Sequence, residues 1–261
     1  MTSQPRDSGI NYIETRRNRA CSGMGIGRIL VDEVYPAFPG DMRNPSAYPY
    51  PIQYEICEGV SIHALSSEGR RLCLEPVLQA AKNLERIGCR AIAAECGLFG
   101  YFQGDVAGQV EVPVFMSALL QVPFIQQTIG PNRLVGVLTA MSGFVTDALL
   151  RGVGIDPCSN IVVGGLQDDF GCRAFDNLWD MGTKPAEPFA FYNDAEEQIV
   201  RAAQEFVSAQ PMIGALLLSC TGHPPFARAI QRAVDLPIFS WGTLLDFAYS
   251  ATVHRDYYGH V

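Results

Sequence analysis

Two stretches of this chain repeat one another at a fixed internal distance, and that repeat limits the architectures open to it. The first runs Arg90-Ala-Ile-Ala-Ala-Glu-Cys96 and is followed by Val112-Pro113-Val-Phe115. The second runs Gly214-Ala-Leu-Leu-Leu-Ser-Cys220 and is followed by Leu236-Pro237-Ile-Phe239. From cysteine to proline is 17 residues in each copy (113 − 96 and 237 − 220). An apolar run that ends in a thiol, then an apolar-proline run at the same distance, reads as two related halves with a cysteine at one shared structural position. If the halves face each other, two thiols flank one cleft. That geometry suits taking a proton from one face of a carbon and returning one to the other.

The rest of the chain fills in the halves. Short, almost wholly apolar runs bounded by Gly, Pro or Asn occur at residues 26–31, 91–94, 112–115, 134–138, 161–163, 213–218 and 236–239. Between them, apolar residues recur at three- and four-residue steps over 71–87 (Leu74, Val77, Leu78, Ala81, Leu84) and 194–207 (Ile199, Val200, Ala203, Phe206). Continuously apolar strands alternating with one-faced helices predict parallel sheets covered on both sides. The expected fold class is therefore α/β: two pseudo-symmetric parallel-sheet domains with the active site in the cleft between them. Residues 1–24 read as a loose, weakly basic extension, 25–130 as the first domain and 131–240 as the second, with the crossing at Gly130-Pro131-Asn132. Residues 241–261 are expected to return onto the first domain. The loop at 35–45 follows the first strand, at the carboxyl end where open α/β sheets bind ligands, which makes Asn44 a binding candidate. The Gly-, Asp- and Pro-rich span 164–188 reads as a lid or a surface excursion.

Charge and cysteine usage exclude several classes. A formal charge of −8 lacks the basic surface that phosphate backbones require, so no nucleic-acid partner is expected. No run approaches the roughly 20 apolar residues of a membrane span. Eight cysteines without a CxxC pair, and four scattered histidines, match no zinc pattern and suit a reducing cytoplasm, so no metal is expected. Gly25 and Gly27 give only two of the glycines of a dinucleotide fingerprint.

The chemistry is expected at the two repeated cysteines. Gly97 and Gly222 permit close backbone approach to a ligand, and Pro224 and Pro225 suit a helix's first turn after Cys220. Amides at the start of a helix lower a thiol pKa and hold carboxylate oxygens, so one element would activate Cys96 or Cys220 and bind an acid through residues such as Gly97, Leu98, Thr221 and Gly222. His223 is the candidate to set the protonation state of Cys220. Glu95, next to Cys96 on a strand, is expected to point away from it.

With these residues in place the chain resembles the aspartate/glutamate racemase superfamily over nearly everything beyond residue 24. Cys96 in its strand-to-helix turn and Ser219-Cys220-Thr221 carry the resemblance most strongly. Leu138-Thr139-Ala140-Met141-Ser142 is similar to the family's Thr- and Ser-bearing substrate loop, which implies substrate contacts for Thr139 and Ser142. The resemblance implies a cofactor-independent racemase or epimerase acting on a small carboxylate, with Cys96 and Cys220 as opposed acid and base, and a dimer. Sister chemistries in the family are maleate-type cis-trans isomerisation and arylmalonate-type decarboxylation; a ligand-binding protein without chemistry is the alternative outside it. The chain departs from the amino-acid racemases after the first cysteine, where Gly97-Leu98-Phe99 offers no side-chain partner to an α-amino group.

Overall fold

The computed structural model describes residues 19–178 and 189–255 of the 261. Among the described residues eight strands form two sheets: β1 (Ile26–Val31), β2 (Ile52–Cys57), β3 (Ala91–Ala94) and β4 (Val114–Phe115) in the first, β5 (Leu134–Thr139), β6 (Ile161–Gly165), β7 (Ile213–Leu218) and β8 (Ile238–Ser240) in the second. The orders are β2-β1-β3-β4 and β6-β5-β7-β8, parallel throughout, so the two halves share one topology. The helices are α1 (Ile62–Ser66), α2 (Leu74–Ile87), α3 (Gln103–Ala107), α4 (Val122–Ile129), α5 (Asp147–Gly152), α6 (Tyr192–Ala209), α7 (Ala227–Val234) and α8 (Trp241–Thr252). The α/β class and paired parallel sheets expected from the apolar runs are present.

Alternation along the strands divides the interior into two cores. In β7, Ala215 and Leu217 face the larger core, which also holds β1, β3, α2 and α8, whereas Leu216 and Leu218 face a second core under α6 and α7. In β5, Val135 and Val137 face the larger core and Leu138 the second. One face of the second sheet thus shares its core with the first half. α2 buries Val77, Ala80, Ala81 and Leu84, the three- and four-residue spacing read from the sequence. It ends at Gly88, whose φ of +110° is left-handed and costs glycine little.

The last helix crosses between halves. Ser240 and Thr243 form a capping box at the start of α8, which then buries Trp241, Leu244, Leu245 and Ala248 in the larger core against β1 and β3. A second seam joins the 3-10 turn at Gly97–Phe102 to α5. A β-carbon on Gly100 would lie 2.9 Å from Val153 Cγ1, and one on Gly152 would lie 3.0 Å from the Gly100 carbonyl oxygen. Glycine at both positions lets the halves approach this closely.

Two sequence expectations changed. β2 is absent from the seven apolar runs because polar Gln53 and Glu55 alternate with its apolar residues and it pairs on one side only, at the sheet edge. The helical pattern at 71–87 starts as a 3-10 turn over Glu68–Cys73 before α2. The 164–188 span holds a short turn at Arg173–Leu178, while residues 179–188 lie outside the described part, as do 1–18 of the N-terminal extension and 256–261.

Candidate active site

The sheet order positions the site. In each half the chain leaves the first strand for the neighbour on one side and then returns to the other side, so a crevice opens at the carboxyl ends of the first and third strands. β3 exits directly into Glu95-Cys96, and β7 exits into Ser219-Cys220. The two turns meet: a β-carbon on Gly97 would lie 3.6 Å from the Ser219 carbonyl oxygen. Trp241 Nε1 donates to that same carbonyl at 3.0 Å, which ties the turn bearing Cys220 to α8.

Cys96 and Cys220 line one cavity of about 60 Å³, together with Tyr35, Glu95, Gly97, Leu98, Ser117, Thr139, Phe144, Ser219 and Thr221 among others. At roughly 10–15 Å³ per water, that space takes a few waters or one small organic acid. Both cysteines are half-buried. Burial pushes the Cys96 thiol well up, aided by the Glu95 carboxyl and opposed by the Leu98 amide. Burial pushes Cys220 up to about 12, opposed by the amides of Gly222 and Thr221 and the Thr221 hydroxyl, with Asp41 adding to the rise. The sequence reading expected helix amides to bring these thiols toward neutrality. The amides do address the sulfurs, but each following segment is a short 3-10 turn (Gly97–Phe102 and Pro224–Phe226), and desolvation outweighs the few donors it supplies.

Glu95, expected to point away from Cys96, borders the same cavity. It lies one residue beyond β3, so strand alternation no longer governs it, and it is a pocket wall at 1% exposure. Its Oε1 accepts from Arg43 Nε at 2.7 Å and its Oε2 from the Val31 amide at 3.1 Å. Burial holds its carboxyl above the ordinary range against the pull of that amide and of Arg28. Arg43 also donates from Nη1 to the Glu33 carbonyl and from Nη2 to the Val31 carbonyl, and its guanidinium lies 4.5 Å over the Tyr35 ring. The loop after β1 is thereby fastened over the pocket. Farther along that loop Phe38 stacks edge-on against Tyr192 and Phe226 of the other half, at 5.2 and 6.1 Å.

The remaining sequence candidates divide. Gly97, Leu98, Thr139 and Thr221 line the cavity; Asn44, Ser142, Gly222 and His223 do not. Asn44 is spent on its own loop, accepting from the Ser46 amide and donating to the Ala37 carbonyl. Ser142 donates through its amide and hydroxyl to Asp168, at 2.9 and 2.8 Å, which pins the turn after β5. His223 is fully buried beside Phe175, its ring nitrogens without hydrogen-bond partners among the described residues, and burial lowers its pKa to about 3, so the ring is neutral. Sequence reasoning missed Tyr35, Glu95, Ser117 and Phe144 as pocket residues; the position of 35–45 after the first strand was the signal for Tyr35. Among the described residues no group of three or more His, Cys, Asp or Glu side chains could hold a metal ion, and no helix is long and apolar enough to cross a membrane.

Solved structures place this arrangement. Allantoin racemase from Klebsiella pneumoniae superposes with a TM-score of 0.55 at 14% identity, over 87% of this chain and 88% of its own. Aspartate racemase of Picrophilus torridus gives 0.52 at 15% identity (88% and 94%), and unliganded arylmalonate decarboxylase gives 0.53 at 14% (90% and 94%). The fold is shared with these two racemases and with arylmalonate decarboxylase. In this shared fold the cavity with Cys96 and Cys220 sits where the two repeated halves meet. No family model matches the chain. Among curated proteins, dimethylsulfoniopropionate lyase from Durusdinium sp. clade D is 27% identical over 246 residues, 90% of this chain and 77% of its own. Dimethylsulfoniopropionate lyases 5 and 7 from Emiliania huxleyi are 27% and 28% identical over 95% and 84% of this chain. The chain spans only 49% and 64% of the length of those two. A dimethylsulfoniopropionate lyase, which by name cleaves a carbon–sulfur compound, is none of the racemase, cis-trans isomerase, arylmalonate-type decarboxylase and binding readings drawn from the sequence.

Proposed function

We propose that the protein is a lyase working on a carbon acid: Cys96 and Cys220 handle the α-proton of a small carboxylate, and the resulting carbanion expels a β-substituent. The observation that carries this reading is the pair of thiols at equivalent strand ends lining one small cavity. The lyase name of the similar curated proteins supports elimination over reprotonation.

Dimethylsulfoniopropionate has a carboxylate, an α-methylene and a β-carbon bonded to a dimethylsulfonium. A thiolate takes one α-proton, the C–H electron pair becomes the Cα–Cβ double bond, and the C–S pair leaves with sulfur. The products are acrylate and neutral dimethyl sulfide, with the proton left on the cysteine. The enediolate-like charge built on the carboxylate needs donors already in place, and the Leu98 and Thr221 amides and the Thr139 hydroxyl, all of cavity-lining residues, are the candidates. Thiols held protonated by burial suit a substrate that brings its own positive charge: a sulfonium within about 4–6 Å favours the thiolate by roughly 1–3 pKa units. Each step uses only side chains, amides and substrate, in keeping with the cofactor-independent chemistry that the resemblance implies.

Racemisation is the second reading, favoured by a thiol on each half of the site and by the likeness to aspartate and allantoin racemases. The two separate in one experiment. The protein is incubated in deuterated water with dimethylsulfoniopropionate and with single-enantiomer amino acids and hydantoins, following headspace sulfide and proton NMR. Acrylate and dimethyl sulfide, abolished by Cys96→Ala and Cys220→Ala, establish elimination. Deuterium at the α-carbon with loss of optical activity and no alkene returns the assignment to a racemase, and unchanged turnover in both variants removes the cysteines from either scheme.

A further inference from the structure

The loop that leaves β1 touches both thiol-bearing turns. On one side Arg43 reaches Glu95, the residue before Cys96: its Nε donates to Glu95 Oε1 at 2.7 Å, while Nη1 and Nη2 donate to the Glu33 and Val31 carbonyls. Glu95 is held from other directions by the Val31 amide on its Oε2 and by its own amide, which donates to the Ile29 carbonyl at 2.8 Å. On the other side Gly40 and Asp41 pack on the turn after Cys220. A β-carbon on Gly222 would lie 3.5 Å from Asp41 Oδ2, and one on Gly40 would lie 3.4 Å from the Pro225 nitrogen. The two contacts are joined within the loop, where the Arg43 amide donates to Asp41 Oδ1 at 2.7 Å. From beneath, the fully buried Arg28 of β1 donates through Nη1 to the Met42 carbonyl, and the Tyr48 hydroxyl donates to the Gly40 carbonyl at 2.7 Å. Residues 40–43 are thus tied at each position, and one short segment spans from the Cys96 turn of the first half to the Cys220 turn of the second.

We propose that Arg43 and Asp41 are positioning residues of the reaction, Arg43 holding Cys96 through Glu95 and Asp41 holding the turn of Cys220, so that one loop sets the two thiols relative to each other. The proposal rests on the reading of these cysteines as the reacting pair and goes beyond it by naming what fixes their separation. The thiols sit on different sheets, so neither sheet alone determines that distance. Shifting a base by about 1 Å from the proton it takes costs on the order of a hundredfold in rate, so a brace of this kind acts on turnover more than on binding. A guanidinium suits the task because its planar fork serves three acceptors at once, which a lysine ammonium at one point cannot do.

Thiol labelling tests this without a substrate. The full chain and its variants are pulsed with iodoacetamide at pH 7.5 and each cysteine is quantified by mass spectrometry, with the fully buried Cys89, before the amino-terminal end of β3, reporting any general loosening. Arg43→Gln should speed labelling of Cys96 about tenfold, the gain in locally open population from losing one charge-assisted hydrogen bond, while Cys220 stays within about threefold and Cys89 is unchanged. Asp41→Ala should act on Cys220 instead, and Asp41→Asn, which keeps the shape and the Oδ1 acceptor, should restore its protection. If Arg43→Gln does not fold, Arg43→Lys carries the same expectation for Cys96 at about threefold. Equal acceleration of both thiols by either variant, acceleration shared by Cys89, or parental labelling throughout overturns the proposal. In turnover of dimethylsulfoniopropionate, Arg43→Gln should lower kcat by roughly ten- to a hundredfold with KM within about threefold. A raised KM at unchanged kcat would make the loop part of binding and overturn the positioning role. Failure of the lyase reading is separable. Selective labelling with no sulfide released sinks only the reaction, and sulfide release with unselective labelling sinks only the brace.

Discussion

Trp241 joins the carboxyl-terminal helix to the reactive turn, and Trp241→Phe measures how much that tie contributes. The side chain is fully buried, and its Nε1 donates at 3.0 Å to the Ser219 carbonyl, one residue before Cys220. Phenylalanine keeps most of the apolar contact but removes the donor, which leaves a buried carbonyl unsatisfied at a cost of about 1–3 kcal/mol. The smaller ring also opens a void that adds roughly 1 kcal/mol. Together the variant should lose about 2–4 kcal/mol. For a chain of this size that lowers the melting temperature by roughly 5–15 °C. Differential scanning calorimetry or a urea titration at pH 7 reads this directly. Phe247→Ser on the exposed face of the same helix is the control, expected within about 0.5 kcal/mol of the parent. The freed carbonyl also loosens the backbone that carries Cys220, so turnover should fall more steeply than the folded fraction does. A Trp241→Phe protein within 0.5 kcal/mol of the parent would refute the claim that this contact is both dry and strained by loss of its donor.

Four further outcomes follow from the same geometry. With both pocket thiols raised, Cys96 and Cys220 should react with iodoacetamide at pH 7.5 more slowly than exposed Cys21 and Cys158, as mass spectrometry of partially labelled protein would show; faster labelling of the pocket pair would contradict the burial argument. His223 has its folded pKa lowered to about 3, so the unfolded chain binds the extra proton between there and about 6.5; its stability contribution is present above pH 6.5 and is lost as pH falls toward 3, by at most about 1.4 kcal/mol per pH unit, and His223→Phe should flatten that acid limb in denaturant melts. Gly100→Ala places a methyl 2.9 Å from Val153 Cγ1 at the seam between halves and should destabilise by about 1–3 kcal/mol, whereas Gly143→Ala, which meets nothing within 4 Å, should be close to neutral in the same melt. Asp168→Asn removes the carboxylate that holds Ser142, so the turn bearing Thr139 should loosen and raise KM severalfold with little effect on the melting temperature; an unchanged KM would detach this turn from binding.

The parts of this molecule that were legible in its sequence are those governed by short-range pattern. Continuously apolar runs marked the buried strands, three- and four-residue spacing marked the faces of α2 and α6, and the equal cysteine-to-proline distances marked the two exits that meet at one cavity. What escaped depends on neighbours distant in sequence. β2 could not be seen because an edge strand with Gln53 and Glu55 carries a weaker apolar signal than the central strands. The pairing of Glu95 with a guanidinium 52 positions earlier, one residue past the end of β3, is a long-range contact that strand alternation does not report. Ser142 and Asn44 were read as facing a ligand, yet each finds a partner within the protein, Ser142 on Asp168 and Asn44 on its own loop. The thiol pKa expectation counted local donors and omitted desolvation, which is a property of the whole enclosure.

The shared core has a consequence for how such a molecule can be divided. Val135, Val137, Ala215 and Leu217 turn the inner face of the second sheet toward the first half, and α8 spends its apolar side there as well. Cutting the chain at residue 130 would give two fragments that each expose a hydrophobic sheet face, so neither piece should be soluble by itself, and co-expression should be needed to recover either. The duplicated halves look like modules by topology, yet their common core ties them together, so a single unfolding transition is expected, and swapping one half for that of a relative means redesigning the seam along with it.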